Sequence, residues 1–164
     1  MIKSIYEKVT RGNTYDLAQA GEHTNSILYS GIKANQMPET ERQYVEKNHV
    51  GCCLHYSMYL ISLLHKAGIK CYFTITPEED GGNHCSVLYY NEKGEKVIAD
   101  PVMDVKGGTL FKNMSIPYDE FVEKAIRFYD GYVHANKTGA YLPHALQEML
   151  EGTLGVFGDR LGKL

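Results

Sequence analysis

The chain has 164 residues, enough for one domain with a hydrophobic core and too few for two. Its 43% hydrophobic and 23% charged residues are typical of a globular protein, and its net charge of −3 offers no basic field for nucleic acid or an anionic membrane. No apolar run approaches the roughly 20 residues that span a bilayer. We therefore expect a single domain over residues 1–164, with no nucleic-acid or membrane partner.

The first part of the chain shows a helical pattern of apolar and polar residues, interrupted by glycine and proline. We predict, in chain order, short helical pieces over residues 1–22 broken at Gly12-Asn13, a short helix that begins near Thr24 or Asn25, a surface helix started by Pro38 that leads into a loop, and a helix from about Cys53 to Lys66 capped by Gly68.

After Gly68 the pattern changes to that of strands, with β-branched and aromatic residues. We predict strands over residues 69–76, 84–91 and 95–102, the last ended by Pro101, with a loop over residues 77–83 and a hairpin turn over residues 91–94. We then predict irregular chain over residues 103–116, an amphipathic helix over residues 117–131 with Pro117 in its first turn, and one more helix over residues 143–152. Helices, an antiparallel sheet and further helices together make an α+β fold.

Four cysteines, Cys52, Cys53, Cys71 and Cys85, are irregularly spaced, and two of them are neighbours. This spacing does not fit a disulfide framework, so reduced thiols in a cytoplasmic protein are the expectation. The N-terminus lacks the apolar region of a secretory signal, although a secreted effector whose signal has been removed would look the same. We assign Cys71 and Cys85 to packing on strands.

Cys53 stands at the first turn of the predicted central helix, where unpaired N–H groups and the positive end of the helix dipole favour a thiolate. A thiolate nucleophile needs an imidazole partner, and the imidazole needs an orienting group. His84 opens one strand and Asp100 ends the next, so antiparallel pairing predicts a hydrogen bond between them. These three residues are the candidate catalytic residues.

Helical geometry sends the two adjacent cysteines in different directions. Cys53 shares a mostly apolar face, expected to point at the sheet, with Tyr56, Ser57, Leu60, Leu64 and Ala67. Cys52 shares a more polar face with His55, Tyr59 and Lys66 and is expected to look away from His84. Solvated positions are expected for the histidines without a partner in the sequence pattern, which are His49, His55, His65, His134 and His144.

The run GCCLHYS over residues 51–57, followed by LISLLHKAGIK, NHCSVLYY and VIADPV, resembles the transglutaminase-like superfamily of papain-related cysteine enzymes. The pattern of that family is a Gly-x-Cys that opens a helix, a Gly-Ile at the helix end, a His at a strand start and an Asp-Pro that closes the following strand. The resemblance covers roughly residues 50–103. It implies a papain/transglutaminase-like core, in which a central helix carrying the cysteine packs on an antiparallel β-sheet flanked by further helices.

Carried over position by position, the resemblance implies Cys53 as the nucleophile, His84 as the imidazole and Asp100 as the carboxylate. An oxyanion hole needs donors near the developing charge, and the backbone N–H of Cys53 is the natural first donor. Asn48 is the nearest side-chain candidate for a second donor, and Gln43 is the next.

The favoured prediction is thus a cysteine-dependent acyl-transfer enzyme that acts on a peptide or protein substrate, as a peptidase, amidase, or protein glutamine deamidase or transglutaminase. It needs no cofactor and no metal, and no G-x-G-x-x-G or P-loop motif occurs. One alternative is a zinc-binding module using some of Cys52, Cys53, His84 and Cys85, although no C-x2-C pair is present. Another is a non-catalytic interaction domain on the same fold. The sequence does not predict an oligomeric state.

Overall fold

A computed structural model describes residues 1–29, 36–77 and 83–127, and this part of the chain is an α+β fold. The helices are α1 (Ile2–Thr10), α2 (Leu17–Tyr29), α3 (Met37–Asn48), α4 (Cys53–Lys66), α5 (Pro101–Gly107) and α6 (Tyr118–Arg127). The strands are β1 (Thr14–Tyr15), β2 (Val50–Gly51), β3 (Cys71–Pro77), β4 (Asn83–Tyr90), β5 (Lys96–Ala99) and β6 (Ile116–Pro117).

The main sheet has the order β3-β4-β5-β6, and every neighbouring pair is antiparallel. Between β4 and β5 the chain turns at Asn91, whose carbonyl accepts a 2.9 Å hydrogen bond from the N–H of Gly94. This turn sets a register in which Val87 pairs with Ala99. As a result, the beginning of β4 lies beside the residues that follow β5.

Successive side chains along a strand point to opposite faces of the sheet, so the residues of the sheet contribute to two hydrophobic clusters, one on each face. On one face, the buried side chains that join the main core with α4 are Phe73, Cys85, Val87, Tyr89, Val97 and Ala99. On the other face, Leu88 and Ile98 pack with Phe121 of α6. The sheet is therefore covered by helices on both faces.

Helix α4 is the centre of the fold and has the bounds that its sequence pattern predicts. Ten of its 14 residues are buried. It packs against β3 and β4 on one side and against α3, α1 and α5 elsewhere. A helix buried on several sides is held mainly by tertiary packing, so its position is a consequence of the whole core.

The chain enters α4 through a short parallel pair of strands, with Thr14 of β1 opposite Val50 of β2. The next residue, Gly51, lies so close to α4 that a Cβ atom there would stand 2.8 Å from the Cβ of His55. Only glycine avoids this overlap without displacing the backbone. The Gly-x-Cys spacing thus has a steric cause at the start of the helix.

The second helix is longer than its sequence prediction, because it begins at Leu17 instead of near Thr24. Asp16 caps it: the side chain accepts a 3.1 Å hydrogen bond from the N–H of Gln19, and the carbonyl accepts one of 3.1 Å from Ala20. An Asp at this position is a common helix start, and the apolar pattern alone did not indicate it.

The expectation that α3 is a surface helix is wrong for one of its faces. Pro38 stands in its first turn as expected, but Met37, Glu41 and Val45 are buried. These residues recur every four positions and pack toward α4. Because Glu41 is charged and lies between Met37 and Val45 on the buried face, hydropathy alone does not show that α3 is amphipathic.

Two further corrections concern the chain after β5. The segment from Pro101, predicted to be the end of a strand followed by irregular chain, forms α5, with Asp100 at the N-cap and Pro101 in the first turn. Proline is favoured there because the first turn has no use for its missing N–H. Pro117 does not begin a helix but pairs with Val97 across the edge of the sheet.

Several predicted features lie outside the described residues: the loop over residues 78–82, the helix end over residues 128–131, the helix over residues 143–152, and His134 and His144. Among the helices that the structure describes, none has both the length and the apolar character that a membrane span requires.

Replacing Gly51 by alanine should destabilise the fold by about 1–3 kcal/mol, because the added methyl overlaps the His55 Cβ and neither backbone can yield easily. Urea unfolding monitored by circular dichroism measures this change. Gly21 in α2 is the matched control, since a Cβ there meets nothing within 4 Å. Gly21→Ala should stabilise the helix by about 0.5–1 kcal/mol. Equal stability of the Gly51→Ala variant and the wild type would contradict the steric explanation.

Candidate active site

Cys53 is the first residue of α4, and Cys52 before it is extended, with φ of −116° and ψ of −170°. The first N–H groups of a helix have no partner within the helix, so they surround this position with donors. Cys53 is partly exposed, whereas Cys52 is buried. The two neighbours therefore differ in their exposure to solvent.

His84 and Asp100 lie together at the open end of the β4–β5 hairpin, opposite the turn. The Nε2 atom of His84 lies 2.7 Å from Oδ2 of Asp100, and their side chains are 21% and 12% exposed. The N–H of Asp100 donates a 2.8 Å hydrogen bond to the carbonyl of Asn113. The carboxylate is thus fixed from its backbone as well as by the imidazole.

The thiol of Cys53 lies near enough to the imidazole of His84 for each group to shift the pKa of the other, and Asp100 lies on the same ring at 2.7 Å. Cys53 also contacts the thiols of Cys52 and Cys85. Cys85 is buried in the core, as expected for a packing residue, yet it touches the candidate nucleophile. All four cysteines are free thiols.

The imidazole of His84 is held in its charged form. Burial disfavours the imidazolium, but the hydrogen bonds with Asp100 and Cys53 outweigh burial and raise the pKa of His84 to about 10. The thiol behaves differently. Contact with Cys52 lowers the pKa of Cys53, but contact with Cys85 and burial outweigh it, so this pKa lies above its ordinary value.

This result departs from the expectation that the helix start lowers the pKa of Cys53. Both pKa values are raised, so both groups hold their proton at neutral pH, and the carboxylate 2.7 Å from the His84 ring favours its charged form. The resting site is then a neutral thiol beside an imidazolium–carboxylate pair. The positive ring is placed to stabilise the thiolate once the sulfur loses its proton.

A second polar network, which the sequence analysis missed, positions Asp100. Asp104 of α5 is fully buried and accepts hydrogen bonds from Thr109 Oγ1 at 2.7 Å, from Asn113 Nδ2 at 2.7 Å, from Asn113 N at 3.0 Å and from Tyr6. These bonds fix the same Asn113 whose carbonyl holds Asp100. Burial raises the pKa of Asp104, but the hydrogen bonds outweigh burial, so its pKa lies below the ordinary value.

The polar face of α4 that carries Cys52 is buried, which corrects the expectation that Cys52 and His55 lie on a solvated surface. Cys52 Sγ lies 3.2 Å from Nδ1 of His55, and Nε2 of His55 lies 2.8 Å from Oε2 of Glu41. His55 and Glu41 are fully buried. Sequence hydropathy could not show that α3 would cover this face.

The same burial explains why the two thiols are not equivalent. Contact with Cys53 and burial raise the pKa of Cys52 to about 12. Because only the thiolate is a strong nucleophile, Cys52 is chemically quiet in this environment. Of the other histidines expected to be solvated, His49 and His65 are exposed.

Asn48, the candidate for the second oxyanion donor, is the last residue of α3. Its side chain is exposed, and its amide donates a 2.9 Å hydrogen bond to the carbonyl of Tyr44 one turn earlier. The structure therefore shows Asn48 bonded to its own helix and not to the chain of Cys53, His84 and Asp100.

The described residues do not support the zinc set predicted as an alternative. In the part of the chain that the structure covers, Cys52, Cys53, His84 and Cys85 provide no group of three converging metal ligands. Two surface depressions, of about 390 Å3 and about 640 Å3, lie beside the β4–β5 turn and beside β6, and neither is lined by the candidate catalytic residues.

Comparison with known proteins gives little. No family model matches the chain, and no curated protein matches it by sequence. A solved structure described as a TGase is a weak structural neighbour, with a TM-score of 0.44 and 15% sequence identity over 87% of this chain. The match covers 46% of that protein, so the chain corresponds to about half of its length.

The imidazole of His84 should titrate near pH 10 in the folded protein, which NMR of its ring protons can measure. Since this pKa lies above 6.5, the contribution of the ion pair to stability is complete below pH 6.5 and is lost as the pH rises toward 10. Asp100→Asn should return the titration toward 6.5, whereas Asp119→Asn, at an exposed residue of α6, should leave it unchanged. Titration of wild-type His84 near 6.5 would contradict the assignment.

Asp104→Ala should destabilise the fold by about 2–4 kcal/mol, since it removes the acceptor of both Asn113 N–H groups and leaves the buried Tyr6 hydroxyl only its long hydrogen bond, of 3.4 Å, to the carbonyl of Asp100. Because the folded pKa of Asp104 lies below 3.8, this stabilisation is complete above pH 3.8 and is lost as the pH falls through the folded value. Urea unfolding at neutral and acid pH measures both effects. Glu92→Ala, at an exposed turn residue, is the control and should change stability by less than about 0.5 kcal/mol.

Proposed function

We propose that this protein is a cysteine-dependent acyl-transfer enzyme of the transglutaminase-like kind, with Cys53 as nucleophile, His84 as proton carrier and Asp100 as orienting carboxylate. The observation that carries the proposal is the chain of contacts from the Cys53 thiol through the His84 ring to Asp100 at 2.7 Å. The position of Cys53 as the first residue of a helix, where N–H groups lack helical partners, adds to it. This is the arrangement that nucleophilic catalysis by cysteine requires.

In the first half-reaction, the Cys53 thiol loses its proton to solvent, and the neighbouring His84 imidazolium stabilises the thiolate that results. The thiolate forms a bond to the carbonyl carbon of an amide or ester, and the carbonyl π electrons move to oxygen. When the tetrahedral intermediate collapses, the bond to the leaving nitrogen or oxygen breaks. The His84 imidazolium donates its proton to that leaving group and becomes a neutral imidazole. The products are a thioester on Cys53 and a free amine or alcohol.

In the second half-reaction, water or an amine attacks the thioester carbonyl and gives a proton to His84. The C–S bond then breaks, so the thiolate and the imidazolium are restored. Asp100 stays ionised throughout and keeps Nε2 of His84 in the orientation seen in the structure. The other ring nitrogen is left to exchange the proton with the reacting groups.

The negative charge on the carbonyl oxygen needs donors, and the backbone N–H of Cys53 at the start of α4 is the first. Asn48 remains our proposed second donor. One N–H of its side-chain amide donates a 2.9 Å hydrogen bond to the carbonyl of Tyr44. To donate to the oxyanion, the amide would have to break that bond or use its second N–H.

We propose a peptide or protein as the acyl donor. The site lies where β4 begins and β5 ends, and His84 and Cys53 are only partly buried, so a carbonyl presented on an extended chain can approach it from the surface. Peptidase, deamidase and transglutaminase reactions share the thioester and differ only in the leaving group and the acceptor. Ammonia release from a glutamine-containing peptide, with and without an added amine, separates them.

The thioester is the intermediate that tests the proposal without knowledge of the natural substrate. With p-nitrophenyl acetate, we expect a burst of p-nitrophenolate and an acetyl group on the peptide that contains Cys53, detected by mass spectrometry. Cys53→Ala should reduce the burst by at least about a thousandfold.

Cys52→Ala and Cys71→Ala are the matched controls and should keep the burst within about tenfold of the wild type, because the pKa of His84 is raised by Asp100 and Cys53. Since adjacent cysteines fall in one peptide, fragmentation must locate the acetyl group on residue 53. An acetyl group on Cys52, or a full burst from the Cys53→Ala variant, would refute the assignment.

A further inference from the structure

A second cluster of polar side chains lies where α2, α3 and α4 meet, on the face of α4 that carries Cys52. It contains His23, Glu41 and His55, one from each helix. Their potential ligand atoms all lie within 4.8 Å of one another. Glu41 and His55 are fully buried, and the His23 side chain is 20% exposed. The proposed acyl-transfer chemistry uses none of these residues.

The cluster is poorly satisfied by hydrogen bonds. Oε2 of Glu41 lies 2.8 Å from Nε2 of His55 and 3.5 Å from Nε2 of His23. Nevertheless, the angles at these atoms do not fit hydrogen bonds. Among the described residues, Nε2 of His23, Nε2 of His55 and both carboxylate oxygens of Glu41 have no partner in hydrogen-bond geometry. A buried carboxylate without such partners is costly unless another charge compensates it.

The arrangement is what a metal ion would require. Ligands of one metal do not point at each other; they point at a common centre. In a tetrahedral zinc site with bonds of about 2.1 Å, neighbouring ligand atoms are about 3.4 Å apart. The separations of 2.8 and 3.5 Å in this cluster bracket that value. Two imidazoles and one carboxylate are a common set of protein ligands for zinc.

We propose that His23, Glu41 and His55 bind one Zn²⁺ ion through Nε2, a carboxylate oxygen and Nε2. This site goes beyond the proposed function and is distinct from Cys53, His84 and Asp100. The alternative is a proton in place of the metal, which would make His55 an imidazolium paired with Glu41 alone.

Contacts around the cluster already orient the two rings. The ring of Tyr44 stacks on His23, with centroids 3.7 Å apart and an interplanar angle of 17°. On the other side, Nδ1 of His55 lies 3.2 Å from Cys52 Sγ and accepts a long hydrogen bond, of 3.4 Å, from the Cys52 backbone N–H, while Nε2 is directed to Glu41. With zinc on Nε2, the proton of the ring would move to Nδ1 and be donated to Sγ. Outer contacts of this kind fix the orientation of ligating imidazoles. The exposed part of His23 marks the path by which the ion enters.

A bound ion would join α2 and α3 to the first turn of α4, the turn that carries Cys53. It would also give Cys52 a role as an outer contact of a ligand. The site would then be structural, holding the helices that support the nucleophile.

The test is zinc binding by the full chain after removal of metals with a chelator. We expect one Zn²⁺ per chain by elemental analysis after titration with zinc alone and gel filtration, together with a higher melting temperature. His23→Ala should weaken binding by about a hundredfold. This variant is chosen first because the side chain is partly exposed, so the fold should tolerate its loss; circular dichroism without metal checks this.

Glu41→Gln, which keeps the shape of the side chain, should weaken binding similarly. His65→Ala, at an exposed histidine near the end of α4, is the matched control and should bind zinc like the wild type. With Co²⁺ as a probe, the spectrum should show ligand-field bands without a thiolate-to-cobalt charge-transfer band. Such a band would mean that cysteines bind the metal and would overturn the assignment.

Wild-type protein without stoichiometric zinc, or a folded His23→Ala variant that binds as tightly as the wild type, would equally overturn it. In that case the cluster is a proton-balanced ion pair. None of these measurements depends on catalysis, so their outcome is independent of the proposed acyl-transfer activity.

Discussion

The constraint on which the rest of the structure depends is the burial of α4 on both of its faces. The sheet covers one face and α3 covers the other, so every residue of the first turn meets a neighbouring element. Two adjacent cysteines at the start of such a helix must therefore enter different environments. Cys53 contacts the β4–β5 hairpin through His84, and Cys52 contacts His55 on the side of α3. Gly51 permits this entry because its missing side chain lets the chain pass close to His55.

Each side of the helix start thus carries a thiol, an imidazole and a carboxylate, but one of the two sets is less deeply buried. The side chains of His84 and Asp100 are 21% and 12% exposed, whereas those of His55 and Glu41 are fully buried. The same three functional groups can serve catalysis only where a substrate can reach the sulfur. Where it cannot, their remaining use is to stabilise the fold, by an ion pair or by a bound cation. The two sets contain the same functional groups and differ in how far their side chains are exposed to solvent.

The geometry at His84 is supported by residues well removed from the thiol. Asp104 accepts hydrogen bonds from Tyr6 on α1 and from Thr109 and Asn113 in the chain between α5 and β6. Through Asn113 this network holds the backbone of Asp100, and Asp100 holds the imidazole. A carboxylate that orients a ring must itself be immobile, and buried hydrogen bonds provide that rigidity. Helices α1 and α5 are thereby joined by one network of hydrogen bonds.

The sequence by itself determined the features that depend on local spacing. The bounds of α4, the order of the hairpin strands and the separation of Cys53 from Cys52 follow from helical and strand periods, which neighbouring residues express directly. The pairing of His84 with Asp100 follows from the short turn between their strands, since such a turn leaves little freedom in register. Tertiary structure alone decided what lies against each face. Glu41 and His55 look like surface residues in sequence and become buried only because α3 folds over α4, a contact between segments that no local pattern encodes. For the same reason the raised pKa of Cys53 escaped a prediction made from the helix start: the helix end is local, but burial and the neighbouring thiol of Cys85 come from the packed core.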